Sequence, residues 1–310
     1  LKSILTVLWL GLALMSCGRV APPYTVKRVA ANGIHLAVAE AGRGDEAIVF
    51  LHHGGGNLSM WQRFAQPFAD DYRLIFIDQR GHGRSDKPEA GNHIDTLCVD
   101  VAGVMDALKV DKAHVLGASL GAEVALALAA HYPHRVISLV LEGALHSAYG
   151  PYSAGEKPES DFDAAAVRQW TEIPVKVWAH EAAMLDSMKA EYGEHWSASV
   201  EDYLRYGAHR LDDGRLSEGW IKPCRDAYIR HYFTYRFEHY YPRVQCPVLL
   251  LPSGGEFEDT ATRRAIKKMA ALGADVRIEV IPDLMHAYGW LVTPEKLQPV
   301  VVDFLAKNHH

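Results

Sequence analysis

The sequence predicts an α/β fold, a doubly wound and mostly parallel sheet carrying an inserted helical cap. Three observations lead there. Short apolar runs alternate with helix-spaced segments through the first part of the chain, the alternation lapses from about residue 145 to 242, and it then resumes. Strand, loop and helix in repeated alternation build a sheet covered on both faces, whose strands therefore read as continuous apolar runs. A lapse of that length is too long for a plain loop and implies a separately packed unit over one edge of the sheet.

Taken in order, YTVKRVAANGIHLAVAEAG reads as two strands around an Asn32-Gly33 turn, a pair suited to a tight hairpin. AIVFL is a short buried strand running into the glycine-rich HHGGGN, and SMWQRFAQPFADD has helical spacing of Trp61, Phe64, Ala65 and Phe68. YRLIFID is a strand, HIDTLCVDVAGVMDALKV a helix and AHVLGAS a strand. LGAEVALALAAHY is a helix stopped before Pro133, and RVISLVLEGA is a strand. The lapsed region is rich in aromatics, Trp178, Trp196, Trp220, Tyr228 and Tyr232 among them, and segments such as HEAAMLDSMKAEY and EGWIKPCRDAYIRHYFTYRFEHYY look helical. The alternation returns with strand CPVLLLPS, helix ATRRAIKKMAALG, strand DVRIEVIP and closing helix TPEKLQPVVVDFLAK. The expected organisation is a leader over 1–17, a core formed by 24–144 and 243–310, and a helical cap over 145–242.

At 310 residues, 49% apolar and 23% charged, the chain has ordinary globular composition and length for one large core. A net charge of −6 without Lys/Arg clusters argues against nucleic acid as a partner. No internal repeat is visible. Oligomeric state is not legible.

The N-terminal LKSILTVLWLGLALMSCG has one early charge, Lys2, an apolar run from Ile4 to Met15, and then Ser16-Cys17-Gly18. About a dozen apolar residues are too few to span a bilayer, which takes roughly 20, but match a signal-peptide core. Leu14-Met15-Ser16-Cys17 resembles a bacterial lipoprotein signal. That resemblance implies export, lipid on Cys17, and anchoring to a bacterial membrane on the periplasmic or cell-surface side. The plainer alternative is an ordinary secretory signal or an uncleaved anchor. Cys98, Cys224 and Cys246 lie in no CxxC or Cys/His metal pattern; their odd number allows at most one bridge, with Cys224 and Cys246 the nearer pair, and buried free thiols are the favoured reading.

Functional groups in open parallel sheets gather in loops at the carboxyl ends of strands. Gly117-Ala118-Ser119-Leu120-Gly121 is a G-x-S-x-G sequence between a β-run and an α-run. There a sharp turn lifts the serine hydroxyl above the sheet, and side chains at the flanking positions would clash. The plainer reading is a serine N-cap on a core helix. His52-His53-Gly54-Gly55-Gly56 follows strand AIVFL, and its glycines let backbone N–H groups approach a substrate oxygen. An oxyanion hole would pair the amide after the nucleophile, Leu120, with Gly54, or with Gly55 because the double histidine blurs the register. Neither histidine is followed by a further ligand at metal spacing. A serine alcohol needs a base to take its proton, and histidine suits that task near neutral pH. Of 17 histidines, His286 in IPDLMHAYGW is selected by position, on the last loop before the terminal helix.

With these stretches, DQRGHGRSD at 78–86 and MHAYGWLVTPEKLQPVVVDFL at 285–305, the chain resembles an α/β-hydrolase over nearly its whole mature length. The resemblance implies the order serine, acid, histidine, with the acid usually following the strand read as PVLLL. Counting from the strand end favours Glu256; counting back from the next helix favours Asp259. Glu258 lies between them, and Glu142 matches a rarer placement after the preceding strand. Glu256 is the choice made here. The implied activity is that of a carboxylesterase-like serine hydrolase, acting through an acyl-enzyme on a small to medium ester, with no metal or organic cofactor. C–C bond hydrolysis, lactone or amide cleavage, and acyl transfer use the same residues. A non-catalytic ligand-binding protein is the alternative from another class.

Overall fold

The computed structural model describes residues 25–309 except 144 and 163. The leader and Cys17 lie outside the described residues. The hairpin forms as expected, β1 (Val26–Ala31) pairing antiparallel with β2 (Ile34–Gly42), and Asn32 and Gly33 both take positive φ at its turn. β3 (Ala47–Leu51), β4 (Arg73–Ile77), α1 (Ile94–Ala107), β5 (Ala113–Ala118), α2 (Leu120–His131) and β6 (Val136–Glu142) follow. The inserted region carries α3 (Ala164–Thr171), β7 (Val177–Trp178), α4 (Glu181–Tyr192), α5 (Ala198–Gly207), β8 (His209–Arg210), β9 (Leu216–Ser217) and α6 (Lys222–Tyr232). The core then resumes with β10 (Val248–Leu251), α7 (Gly254–Glu258), α8 (Thr260–Ala270), β11 (Val276–Ile278), α9 (Gly289–Val292) and α10 (Pro294–Lys307).

The main sheet runs β1-β2-β4-β3-β5-β6-β10-β11; β1 and β2 are antiparallel and the strands from β4 onward are parallel. Every residue of β3 and β5 is buried, as strands covered on both faces must be. Two apolar clusters occupy the two faces. Val49, Val115 and Leu139 belong to the one holding α1 and α2, and Phe50, Leu116 and Val140 to the one holding Trp61, Trp290 and α10. Each fully buried Val, Leu or Phe contributes about 1.5–3 kcal/mol, so this central sheet dominates the stability.

Three local expectations change. The stretch read as a helix over Trp61–Phe68 forms two short 3-10 turns, Leu58–Trp61 and Gln66–Phe68, because Pro67 lacks an N–H and Asn57 caps the first turn through Ser59 N. The inserted region is not purely helical: β7, β9 and β8 make a small antiparallel sheet. The loop carrying the acid candidates contains α7, opened by a reciprocal capping box between Ser253 and Glu256. Cys98, Cys224 and Cys246 are buried free thiols. Among the described residues, no helix is long and apolar enough to cross a membrane.

Candidate active site

Ser119 directly follows β5 and sits at φ 51°, ψ −116°, a left-handed conformation that costs a non-glycine residue about 1–3 kcal/mol. The flanking glycines show what imposes it. A Cβ on Gly117 would lie 2.3 Å from the Gly121 carbonyl oxygen, and one on Gly121 would lie 2.0 Å from the Leu51 carbonyl oxygen. Strand and helix thus approach too closely for any side chain, and the serine is turned out of the bend. It stands at the N-cap position of α2, yet its side chain makes no capping hydrogen bond. The plainer reading of this serine as a cap is therefore not what the geometry displays.

His286 follows β11 on the last loop, as its order in the chain implied, and shares a cavity of about 390 Å3 with Ser119. The two flank Gly143, where a Cβ would lie 3.5 Å from His286 Cε1 and 3.9 Å from Ser119 Cα. Two carboxylates meet the other side of the ring. Glu142 Oε1 is 3.0 Å from His286 Nδ1, and Glu256 Oε1 is 3.4 Å from the same nitrogen. Glu142, at the end of β6, is fully buried, and its Oε1 also accepts from Ala287 N at 3.1 Å. One oxygen therefore holds both the ring and the backbone beside it, where Ala287 is bent to φ 61°. Glu256 is partly committed elsewhere: its Oε2 accepts from Ser253 N at 2.8 Å and Ser253 Oγ at 2.9 Å.

The order of the carboxylates thus differs from the choice of Glu256 made on sequence, because the end of β6 reaches the ring more directly than the capped turn of α7 does. Asp259 instead caps α8, accepting from Thr262 N at 2.7 Å, and Glu258 is exposed. The ligand atoms of Glu142, Glu256 and His286 all lie within 4.8 Å of one another, a grouping that could also hold a cation. Burial works against protonating His286, but the hydrogen bond and charge of Glu142, with Glu256 and Glu123 adding, raise the ring to about 9.

Gly54 and Leu120 line the same cavity, whereas Gly55 lines a neighbouring cavity of about 350 Å3. A Cβ on Gly54 would lie 2.8 Å from Trp220 Cζ3, so any side chain there would have to displace the indole. Leu120 opens α2, where an amide has no carbonyl one turn back to serve. The two histidines are loop scaffolding. His52 Nε2 accepts from Gln79 N at 3.0 Å while its Nδ1 lies 2.8 Å from the His53 carbonyl; His53 Nδ1 lies 2.8 Å from the Gly54 carbonyl. Burial depresses them to about 3 and about 4, so both rings stay neutral. Asp78 underpins the same loop, accepting from Leu58 N at 2.7 Å, Arg84 N at 2.8 Å and Tyr206 Oη at 2.8 Å.

Sequence reasoning passed over Glu123. It is buried, lines the cavity and accepts from Tyr228 Oη at 2.6 Å. The signal was present: one acid, a helical turn beyond the serine, in the otherwise apolar LGAEVALALAA.

A serine forced outward on a strand-to-helix bend above a mostly parallel sheet defines the nucleophile-elbow class of proteins. Within that class, this chain belongs to the α/β-hydrolase family. The model of that family, described as the alpha/beta hydrolase fold, matches residues 46–175. The chain is 37% identical over 295 residues to a Bacillus subtilis (strain 168) protein provisionally named 2-succinyl-6-hydroxy-2,4-cyclohexadiene-1-carboxylate synthase, covering 91% of this chain and 98% of that one. It is 37% identical over 280 residues to a 2-(acetamidomethylene)succinate hydrolase from Mesorhizobium japonicum, covering 90% of this chain and 94% of the relative. The crystal structure of E-2-(acetamidomethylene)succinate hydrolase superposes with a TM-score of 0.72 at 24% identity over 91% of this chain and 99% of that one, a likeness of fold. Three further relatives are spanned over only 42 to 44% of their own length.

Proposed function

We propose that the protein hydrolyses a carboxylic ester of small to medium size through an acyl-enzyme on Ser119. The observation that carries this reading is the shared cavity in which the strained serine, His286 and the Gly54 and Leu120 backbone converge, with a buried carboxylate on the far side of the imidazole. Ser119 Oγ attacks the carbonyl carbon while His286 Nε2 takes its proton. The oxyanion forms against the N–H groups of Gly54 and Leu120, and His286 then protonates the departing alcohol. Water repeats the sequence on the acyl-enzyme and frees the acid. Glu142 orients the ring through Nδ1 and stabilises the imidazolium, with Glu256 as a second, weaker partner.

Ester hydrolysis is favoured over cleavage of a dicarboxylate such as the succinate in one relative's name. Among its described lining residues, the cavity holding Ser119 has no Lys or Arg to receive a substrate carboxylate. Export and lipid anchoring at Cys17 complete the proposal and rest on the leader sequence alone. The test is turnover of p-nitrophenyl esters of graded acyl length by the purified protein and by Ser119→Ala. Turnover should be confined to the parent and fall with long acyl chains; equal rates in both proteins would overturn the assignment.

A further inference from the structure

One buried acid touches none of the groups in the hydrolytic mechanism and reaches it only through its charge, which adds to the hold on the His286 proton. Glu123 is the lone charged residue between Leu120 and Ala130, stands one turn beyond Ser119, and is 6% exposed in the wall of the same cavity. A carboxylate in such a place costs several kcal/mol unless something compensates it. Among the described residues, it forms no ion pair with Lys or Arg. Its hydrogen-bond partner is Tyr228 Oη, a neutral donor, and burial pushes the carboxyl up to about 7.

The surroundings point to what would compensate it. Tyr228 has Trp220 5.6 Å away and Tyr232 6.0 Å away, ring centroid to centroid, and all three line the cavity. Aromatic faces carry negative potential and attract cations, most strongly when desolvated. Aromatic rings beside an acid, with no Lys or Arg among the described lining residues and His286 neutral in the state that takes the serine proton, form a wall that draws in positive charge and repels negative charge. Resting on the reading of Ser119 as an ester-cleaving nucleophile, we infer that Glu123 with Trp220, Tyr228 and Tyr232 forms a subsite selecting substrates that bear an ammonium group near the scissile ester. An ammonium entering here regains, from the carboxylate and the rings, the interactions it loses with water. A neutral group of the same shape gains only apolar contact, and an anion meets a like charge.

Three thioesters of matched size test this on the full chain: acetylthiocholine, its neutral isostere 3,3-dimethylbutyl thioacetate, and the anionic 2-sulfonatoethyl thioacetate. The cationic ester should exceed the neutral one in kcat/KM by about 10-fold or more, with the anionic one slowest. In Glu123→Gln the cation-to-neutral ratio should fall towards one, a comparison in which any effect of the variant on His286 cancels. Calorimetric binding of choline against 3,3-dimethylbutan-1-ol gives a readout that needs no turnover. Cleavage of all three esters without cationic preference, or a ratio unchanged by Glu123→Gln in a folded protein, overturns the subsite and leaves the hydrolase reading standing. Selective, Glu123-dependent choline binding with no ester cleaved would do the reverse. Should Glu123→Gln fail to fold, the parent's own ratios and its preference for choline decide the matter.

Discussion

The two walls of the cavity are built on different terms. On the sheet side, β5 is buried throughout and α2 from Leu120 to Ala130, and Gly117 and Gly121 are fixed by contacts that a single Cβ would violate. On the inserted side, α3 has no buried residue, and Phe162, Trp170, Ile173 and Val177 are large apolar residues left exposed. Groups that must meet a reacting atom within a few tenths of an ångström need the first kind of support. Groups that sort substrates by size can work on the second, at α3, where a changed side chain disturbs few neighbours. The contrast predicts steep losses for changes at the strand ends and shallow ones at α3.

The steepest loss belongs to the serine. Ser119→Ala should lower ester turnover by about 10,000-fold or more, measured as kcat on a p-nitrophenyl ester. Its melting temperature should stay within a few degrees, since alanine adds no volume at the bend. Next come the two acids. Glu142→Gln should lower kcat by about 1,000- to 10,000-fold, because the ring loses the buried charge that fixes its tautomer. Glu256→Gln should cost about 10-fold or less, its carboxylate being farther from Nδ1 and shared with the Ser253 cap. The opposite ranking would transfer the orienting role from the sheet to the α7 turn and weaken the contrast between the walls.

The same carboxylates set opposite pH trends for activity and stability. The base must be neutral to act, so kcat/KM should climb from pH 6 and level off above about 9, the raised value of His286. The folded ring holds its proton more tightly than the unfolded one. Its contribution to stability is therefore fully present below about pH 6.5 and lost as pH rises through about 9. Melting temperature and kcat/KM, followed on one preparation across that window, should move in opposite directions. In Glu142→Gln the kinetic midpoint should shift to lower pH and the stability slope should flatten. A kinetic midpoint near 6.5 in the parent would mean that the acids do not hold the ring.

Legibility in the sequence cut across the division between walls. The bend at Ser119 could be read because close approach of strand and helix admits only small residues, which leaves glycines at fixed spacing around it. His286 could be read from chain order. The acid could not, since several carboxylates compete, and the choice depends on how β6 lies beside β10. That register sets Glu142 opposite Leu251 and brings it under the 286 loop. The Ser253-x-x-Glu256 capping signature was in plain view and argued for a turn that occupies Glu256. Helical spacing around Trp61 and Phe64 misled because a wholly buried aromatic cluster needs those rings whatever the backbone does; Trp61 lies 5.0 Å from Trp290 and 6.0 Å from Phe64. Strands of two residues, like those in the inserted sheet, are too short to show a period.

Stability should divide along the same line. Gly121→Ala forces a Cβ to within 2.0 Å of the Leu51 carbonyl oxygen, backbone against backbone, with no flexible group to yield. A loss of about 1–3 kcal/mol or more is expected in urea unfolding, together with reduced activity as the bend shifts. Tolerance of that change would mean that the elbow is looser than its contacts imply.

The smallest effect is expected at Trp170, which lines the cavity from α3 yet is 53% exposed. Removing it takes little apolar area out of the folded protein, so Trp170→Ala should leave stability within about 0.5 kcal/mol. What it does remove is part of the wall that a bulky acyl or alcohol group would touch. KM for larger esters should therefore rise by about 2- to 5-fold with kcat nearly unchanged, the signature of lost uniform binding. A fall in kcat instead would mean that the ring helps to seat the ester against Ser119. The inserted wall would then share in the chemistry, and the separation of reaction from selection would not hold at α3.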